Sequence, residues 1–203
     1  MKEKIYNIIT HSGIWIMQKI FPEYFASESL HPTDRYIEYP FVLENLPKSP
    51  CKILDIGCSG SIFPLLIKAL KYDIYGIDIR EYHPQGKFLF TKTNICVSPF
   101  KSDFFDVITA VSSIEHIGLK GRYGSEEDME GDIKALKEIY RILKPSGIFL
   151  MTIPLGENLK ITKNHKIYNQ IRLHLLLKDF TFQYTIIKSP EGNYDLALIK
   201  AIK

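Results

Sequence analysis

One short stretch of the chain constrains its fold more than any other. Residues 53–56 are apolar apart from one acid, and small residues run from Gly57 to Ser61 before a second apolar segment begins. This pattern predicts a buried strand, a tight turn and a helix. Pro64 suits the first turn of that helix, where a missing N–H group removes no hydrogen bond. A helix that starts there directs backbone N–H groups at an anionic ligand group.

A second apolar run, residues 72–79, carries an acid near its end. Asp78 lies about twenty residues after the first strand, where an acid at a strand's carboxyl end can bind two ribose hydroxyls. A dinucleotide fingerprint G-x-G-x-x-G counted from Gly57 would need glycines at the positions of Ser59 and Ile62. The spacing therefore argues against a nicotinamide dinucleotide and favours another nucleoside ligand.

The first segment resembles motif I of class I S-adenosylmethionine-dependent methyltransferases, which has the form D-x-G-x-G-x-G. Asp55 and Gly57 match it, whereas Ser59 and Ser61 stand at later glycine positions. Residues 104–110 resemble the family's fourth strand, with its F-D-x-V/I pattern, and residues 136–153 resemble its helix, L-K-P-G-G turn and fifth strand. These landmarks follow the family's order, so the chain is identified as similar to this family.

The alternation of elements predicts a doubly wound α/β fold with a mostly parallel sheet. The resemblance implies a Rossmann-like sheet of seven strands with an antiparallel last strand. Strands are expected near 52–56, 73–78, 88–91, 105–110, 147–153, 181–188 and 194–202, and helices near 61–71, 131–143 and 168–178. The last two strands should form a hairpin. Residues 1–45 are expected to be an N-terminal helical extension or cap, and 46–203 the S-adenosylmethionine-binding domain.

The resemblance also implies where S-adenosylmethionine is held. The loop at Gly57 should wrap its methionine part, with Asp55 ordering the loop, and Asp78 should take the ribose hydroxyls. Asn94 follows the third strand and can bond the adenine amino group, with an ordinary turn residue as the alternative. The expected cofactor-binding residues are Asp55, Gly57, Cys58, Ser59, Gly60, Asp78, Ile79, Asn94, Ile95 and Ser112.

Polar residues after the fourth strand lie where the methyl group must be delivered. Methyl transfer is an in-line displacement, so the protein mainly aligns the acceptor and removes its water. A hydroxyl acceptor also needs a group that takes its proton. Glu115 and His116 are the candidate catalytic residues, because both can titrate in the useful range once perturbed. The alternative is structural, with His116 packed beside the cofactor and Glu115 capping a helix.

Two further segments can close over an acceptor. Residues 31–40 mix charges with aromatic rings, and residues 118–124 are rich in glycine. The candidate acceptor-binding residues are Arg35, Arg122 and Tyr123, since guanidinium groups bind carboxylates or phosphates. A surface ion-pair cluster of Asp34, Arg35 and Glu38 is the alternative. The stretch E-H-I-G-L-x-G-R-Y-G also resembles a subgroup of small methyltransferases associated with cell-surface glycan synthesis.

Charge and cysteine content narrow the possible functions. The 26 basic and 23 acidic residues leave a net charge of +3 and form no basic stripe, so a nucleic-acid substrate is not indicated. The three cysteines do not have the spacing of metal ligands, so no metal site is expected. Their small, odd number indicates a protein of the reducing cytoplasm. His11, Ser12 and Gly13 interrupt the N-terminal apolar region, so no transmembrane segment is expected. Peripheral contact with a membrane stays open as an alternative to packing.

The expected function is S-adenosylmethionine-dependent methyl transfer to a small-molecule acceptor, with a hydroxyl of a glycan precursor or metabolite preferred. A protein or RNA methyltransferase is one alternative. An inactive methyltransferase-like partner protein is another, because Ser59 and Ser61 replace two glycines of the motif. The sequence does not predict an oligomeric state.

Overall fold

The computed structural model describes residues 12–13, 15–22, 33–83, 88–120, 123 and 127–203. In chain order the elements are α1 (Arg35–Asn45), β1 (Lys52–Ile56), α2 (Phe63–Ala69), β2 (Asp73–Asp78), β3 (Leu89–Lys92), β4 (Phe105–Val111), α3 (Gly131–Ile142), β5 (Leu143–Leu155), β6 (Lys160–Ile161), β7 (Lys166–Ile167), α4 (Gln170–Leu176), β8 (Thr181–Lys188) and β9 (Asp195–Ile202). Short 3₁₀ turns cover Ile95–Val97 and Ile114–His116.

Seven strands form one mixed sheet in the order β3-β2-β1-β4-β5-β9-β8. Strands β1 to β5 pair in parallel, and β9 runs antiparallel to both β5 and β8. This arrangement confirms the predicted α/β class, the antiparallel last strand and the final hairpin. The strand order reverses between β1 and β4, and in open α/β sheets ligands bind beside such a reversal.

Several elements begin one to four residues from the expected position, and two of these differences have a clear cause. Helix α2 starts at Phe63, not near residue 61, because the Ser61 hydroxyl accepts a hydrogen bond from Phe63 N at 3.1 Å and holds residues 61–63 in a turn ahead of the helix. Strand β5 starts at Leu143, not near 147, because Leu143 already pairs with Phe105 before a register shift. The predicted turn is therefore a bulge within the strand, with Ser146 at φ +62°.

Helices cover both faces of the sheet. On one face, Val42 of α1 packs with Ile53 of β1 and Phe63 of α2 in a buried apolar cluster. On the other face, Leu136 of α3 and Leu173 of α4 belong to a second buried cluster. Helix α1 is thus part of the hydrophobic core, and its first residues are carried to the carboxyl ends of the strands.

A buried charge cluster joins α3, β7 and α4. Asp132 is fully buried, and its carboxylate accepts a hydrogen bond of 2.6 Å from Arg172 and lies 3.4 Å from Lys166 Nζ. The Tyr168 hydroxyl donates to the same carboxylate at 3.2 Å. Buried charges are tolerated when they are paired in this way, and removing one partner is costly. The cluster fixes the segment after β5 against the start of α3.

Only part of the predicted N-terminal extension falls within the described residues. Residues 15–20 are helical, and Trp15 and Ile20 in this segment are exposed. None of the helices described is long and apolar enough to span a membrane. All three cysteines are free thiols.

Candidate cofactor and acceptor site

A cavity of about 680 Å³ opens at the carboxyl ends of the strands, where the strand order reverses. This volume is in the usual range for small-molecule sites. The structure brings most of the predicted site residues into its wall: Arg35, Asp55, Gly57, Ser59, Asp78, Ile79, Asn94, Ile95, Ser112, His116 and Tyr123. Segments that are far apart in sequence therefore meet around one space.

Three predicted site residues do not line this cavity, and a fourth, Arg122, lies outside the described residues. Cys58 is fully buried behind the loop, where its Sγ would lie 2.7 Å from a Cβ placed on Gly76. Burial raises the pKa of the Cys58 thiol. Gly60 turns the chain at φ +82°, and Glu115 is buried in the 3₁₀ turn after β4.

Gly57 forms the point of closest approach between the loop after β1 and the end of β4. Its φ is +78°, and a Cβ at this position would collide with Ser113 Oγ. Ser113 is itself held in place, because its hydroxyl donates to Ile56 O at 2.9 Å. Only glycine combines this backbone conformation with this approach.

The two serines at motif glycine positions hold the loop by hydrogen bonds. Ser59 N donates to Asp78 Oδ2 at 2.9 Å, and Ser59 Oγ donates to Glu81 O at 3.2 Å. Ser61 Oγ accepts from Phe63 N at 3.1 Å and lies 2.9 Å from the Tyr39 hydroxyl. Neither serine has a positive φ, unlike Gly57 and Gly60 in the same loop. Serine is therefore compatible with this backbone at both positions.

Asp55 lies beneath the loop as a buried acid. The Thr109 hydroxyl donates to its Oδ1 at 2.6 Å. Burial raises the pKa of Asp55 to about 7, although the Thr109 bond opposes the shift. This carboxyl group consequently changes charge near neutral pH.

Asp78 carries a full set of hydrogen bonds at the end of β2. Its Oδ1 accepts from Arg80 N at 2.8 Å and from Arg80 Nε at 3.2 Å. Its Oδ2 accepts from Ser59 N at 2.9 Å and from Arg80 Nη2 at 3.0 Å. Sequence analysis missed Arg80, because a cation two residues after a strand-end acid matches no motif.

Glu38 organises the opposite wall of the cavity. It is fully buried, and its Oε1 accepts from Ser112 Oγ at 2.5 Å and from Thr152 Oγ1 at 2.6 Å. Its Oε2 accepts from Arg35. Ser112 adopts φ +43°, and its N–H donates to Thr152 Oγ1 at 3.0 Å. Helix α1 is thereby tied to the ends of β4 and β5.

The alternative of a surface ion-pair cluster is wrong for this segment, because Asp34 and Glu38 are both buried. Asp34 accepts a hydrogen bond of 2.6 Å from Ser189 Oγ and one of 2.9 Å from the Tyr194 hydroxyl. Arg35 lines the cavity, and among the described residues Glu38 is its hydrogen-bond partner. The segment places one cation beside the cavity above two buried acids.

Glu115 and His116 differ in access to the cavity. Glu115 is buried, and its Oε2 has no hydrogen-bond partner among the residues that the structure describes. Burial, together with the nearby Glu38 charge, raises the pKa of Glu115 to about 8. His116 lines the cavity, and its Nδ1 lies 2.8 Å from Asn164 O. A carbonyl oxygen only accepts, so neutral His116 carries its proton on Nδ1 and its lone pair on Nε2.

These residues fit S-adenosylmethionine. Gly57 lines the cavity without a side chain and so forms a cradle where a ligand can approach the main chain, and the acid at Asp78 has the chemistry to accept from a ribose diol. Asn94 and Ile95 offer an amide and an apolar surface in the same cavity. No described group of three or more His, Cys, Asp or Glu side chains could hold a metal ion.

Solved structures share this architecture. A methyltransferase from Archaeoglobus fulgidus matches with a TM-score of 0.64 and 20% identity, over 83% of this chain and 94% of its own. The Burkholderia thailandensis 1,6-didemethyltoxoflavin-N1-methyltransferase, solved with S-adenosylhomocysteine, gives a TM-score of 0.63 and 13% identity, over 98% of this chain and 90% of its own. The [4+2]-cyclase SpnF gives 0.64 and 16%, over 83% and 80% of the two chains.

The fold is therefore that of the class I, Rossmann-like S-adenosylmethionine-dependent methyltransferases. Within it, the family described as Caenorhabditis protein of unknown function, DUF268, matches residues 96–201, just over half of the chain, and the chain belongs to that family. The matched segment includes Ser112, Glu115 and His116 and begins after the loop at Gly57. No curated protein sequence matches the chain.

Proposed function

We propose that this protein is an S-adenosylmethionine-dependent methyltransferase that acts on a small-molecule acceptor. The observation that carries the proposal is the joint presence, in one cavity, of the Gly57 cradle, the strand-end acid Asp78 and the histidine His116. The cofactor would be held by the loop at Gly57 on its methionine side, by Asp78 at the ribose and by Asn94 and Ile95 at the adenine.

His116 is the proposed general base. When bound, S-adenosylmethionine supplies a methyl group on a positively charged sulfur. His116 Nε2 takes the proton of the acceptor hydroxyl, while the contact of 2.8 Å between Nδ1 and Asn164 O holds the ring in position. That methyl group would pass in line from the sulfur, which would keep the bonding electrons, to the acceptor oxygen; the part of this chain is to align the two and to hold the proton at His116 Nε2.

Glu115 is better suited to a supporting role than to proton abstraction. It does not line the cavity, and with its pKa raised to about 8 by burial it stays protonated at neutral pH. Its Oε1 lies 4.0 Å from His116 Nε2. A neutral carboxyl at this distance does not draw a proton onto Nε2, so this nitrogen keeps the lone pair that a base needs. This arrangement supports His116 over Glu115 as the base.

Arg35 and Tyr123 are the proposed acceptor contacts, with residues 33–45 as a cap on that side. Arg35 lines the cavity while Glu38 fixes its position, so a hydroxylated metabolite or glycan precursor with a carboxylate or phosphate is the acceptor class that suits it.

The scattered basic residues argue against an RNA substrate. Since Ser59 and Ser61 hold the loop, they are no reason to infer an inactive partner protein.

We further propose a reducing compartment such as the cytoplasm. Cys51, Cys58 and Cys96 are all free thiols. Free cysteines persist where glutathione and thioredoxin keep thiols reduced.

Cofactor binding is the decisive experiment. Calorimetric titration with S-adenosylhomocysteine should give a saturable heat, and ligand at about a hundred times its dissociation constant should stabilise the fold by about 2.7 kcal/mol. A screen of labelled methyl transfer to phosphorylated and carboxylated sugars, other metabolites, peptides and RNA would then identify the acceptor. A flat titration together with an unchanged melting temperature would contradict the proposal.

A further inference from the structure

The acid at the end of β2 has no acceptor position left for a ligand. A carboxylate offers about four lone-pair sites, and Asp78 already accepts from Ser59 N, Arg80 N, Arg80 Nε and Arg80 Nη2. Two of these donors are main-chain groups that belong to the loops themselves. The other two are adjacent groups of one guanidinium, and each bonds a different carboxylate oxygen.

We infer that Arg80 is a latch that occupies the place of the ribose diol and must leave before the cofactor binds. The inference rests on the proposed function, in which Asp78 holds the ribose. Departure of the Arg80 side chain frees one acceptor position on each oxygen of Asp78, which is what two neighbouring hydroxyls need. The main-chain bonds from Ser59 and Arg80 stay in place, so the carboxylate keeps its orientation.

Other groups hold the closed position of the latch. Arg80 Nη2 also donates to Ser59 O at 2.5 Å, and the guanidinium lies 4.4 Å from the centre of the Tyr123 ring. Asp78 is nearly inaccessible, whereas the Arg80 side chain keeps about a third of its surface exposed. The arginine can therefore swing outward into solvent when the contacts with Asp78, Ser59 O and the Tyr123 ring are given up.

The latch makes cofactor affinity depend on an internal equilibrium. A ligand that needs the open form binds with an apparent affinity reduced by the fraction of molecules that are open. Loss of the arginine would leave a buried carboxylate without its counter-charge, and a ribose diol would then satisfy it. Binding should become tighter, while the ligand-free protein becomes less stable.

The test compares S-adenosylhomocysteine binding to the wild-type protein and to Arg80→Ala by calorimetry, with melting curves of both ligand-free proteins. We expect Arg80→Ala to bind about tenfold more tightly, to melt at a lower temperature without ligand and to show a larger ligand-induced shift. Arg141→Ala is the matched control, because Arg141 pairs with Glu138 outside the cavity wall; it should leave the affinity unchanged. Arg80→Lys keeps the charge without the fork and should fall between wild type and Arg80→Ala.

Equal or weaker binding by Arg80→Ala, with wild-type binding intact, would overturn the latch and leave the proposed function standing. Absence of binding by both proteins would overturn the proposed function and the latch with it. If Arg80→Ala does not fold, Arg80→Lys decides, since a tighter complex supports the latch and an equal or weaker one refutes it. Nuclear magnetic resonance of the arginine Nε–H groups gives an independent readout: ligand should remove the hydrogen-bonded Arg80 signal, and a signal unchanged at saturation contradicts release.

Discussion

The two sides of the cavity are built in different ways. On the cofactor side, neighbouring residues of one loop supply main-chain groups, as at Gly57 and Ser59. On the acceptor side, Glu38 meets Ser112 and Thr152 through side chains that come together only after the sheet has formed. One side depends on local backbone geometry, and the other depends on long-range packing. Substitutions on the two sides should therefore affect different measurements.

The largest effect is expected from Gly57→Ala on the cofactor side. The added Cβ meets Ser113 Oγ at a positive φ, so we expect S-adenosylhomocysteine affinity to fall by about a thousandfold, or about 4 kcal/mol. Gly192→Ala is the matched control, because Gly192 has φ +92° but open space around its Cβ. It should cost only about 1–2 kcal/mol of stability, from backbone strain, and leave affinity unchanged. Equal effects of the two substitutions would show that close approach at Gly57 is unimportant.

On the acceptor side, stability should depend on pH through Glu115. Its folded-state pKa of about 8 lies above the unfolded value of 4.5, so the folded protein holds this proton more tightly. Stability is then fully present below about pH 4.5 and is lost as pH rises through about 8. Asp55, with its pKa raised to about 7 by burial, has the same sign. Denaturant titrations of Glu115→Gln should lack the decline above pH 7, and a decline equal to that of wild type would contradict the assignment.

Next in size is the effect of His116→Asn on turnover. Loss of the proposed base should lower kcat by about a hundredfold, while calorimetry finds S-adenosylhomocysteine affinity within about twofold of wild type. The comparison with Glu115→Gln separates the two neighbours, because the glutamine variant should retain most of its activity on the same acceptor at neutral pH. Parallel losses of affinity and kcat in His116→Asn would indicate packing in place of proton transfer.

The smallest effect is expected from Arg35→Lys. Lysine keeps the positive charge but cannot present a fork to a carboxylate or phosphate, so we expect KM for the acceptor to rise about five- to tenfold, or about 1 kcal/mol. S-adenosylhomocysteine affinity should not change, because Arg35 belongs to the other side of the cavity. A change in cofactor affinity with an unchanged KM for the acceptor would show that Arg35 serves the cofactor side and would contradict the division of the cavity into two sides.

The same contrast explains what the sequence could predict. Strands β1 and β2 were predicted at the residues where they occur, because a buried strand and a small-residue turn leave a local pattern. The start of β5 was not, since its first residues are held by pairing with Phe105 and by Lys203, at the end of the chain. Local propensity contains no information about such partners.

Site residues follow the same division. Gly57 and Asp78 were found from spacing along the chain, and both line the cavity. The burial of Glu38 could not be found in this way, because its partner Thr152 lies 114 positions away. Arg80 escaped for another reason: its position two residues after Asp78 is local, but a lone arginine carries no pattern that distinguishes a buried ion pair from a solvated charge.

Gly118 and Asp128, which lie between β4 and α3, are in main-chain contact. Asp128 N donates to Gly118 O at 3.0 Å, and a Cβ on Gly118 would collide with Asp128 O, so the chain after β4 and the chain before α3 meet at one narrow neck. Gly118, Asp128 and Gly131 all line the cavity, so a side chain at residue 118 would force apart the ends of β4 and α3 at the point where both border it.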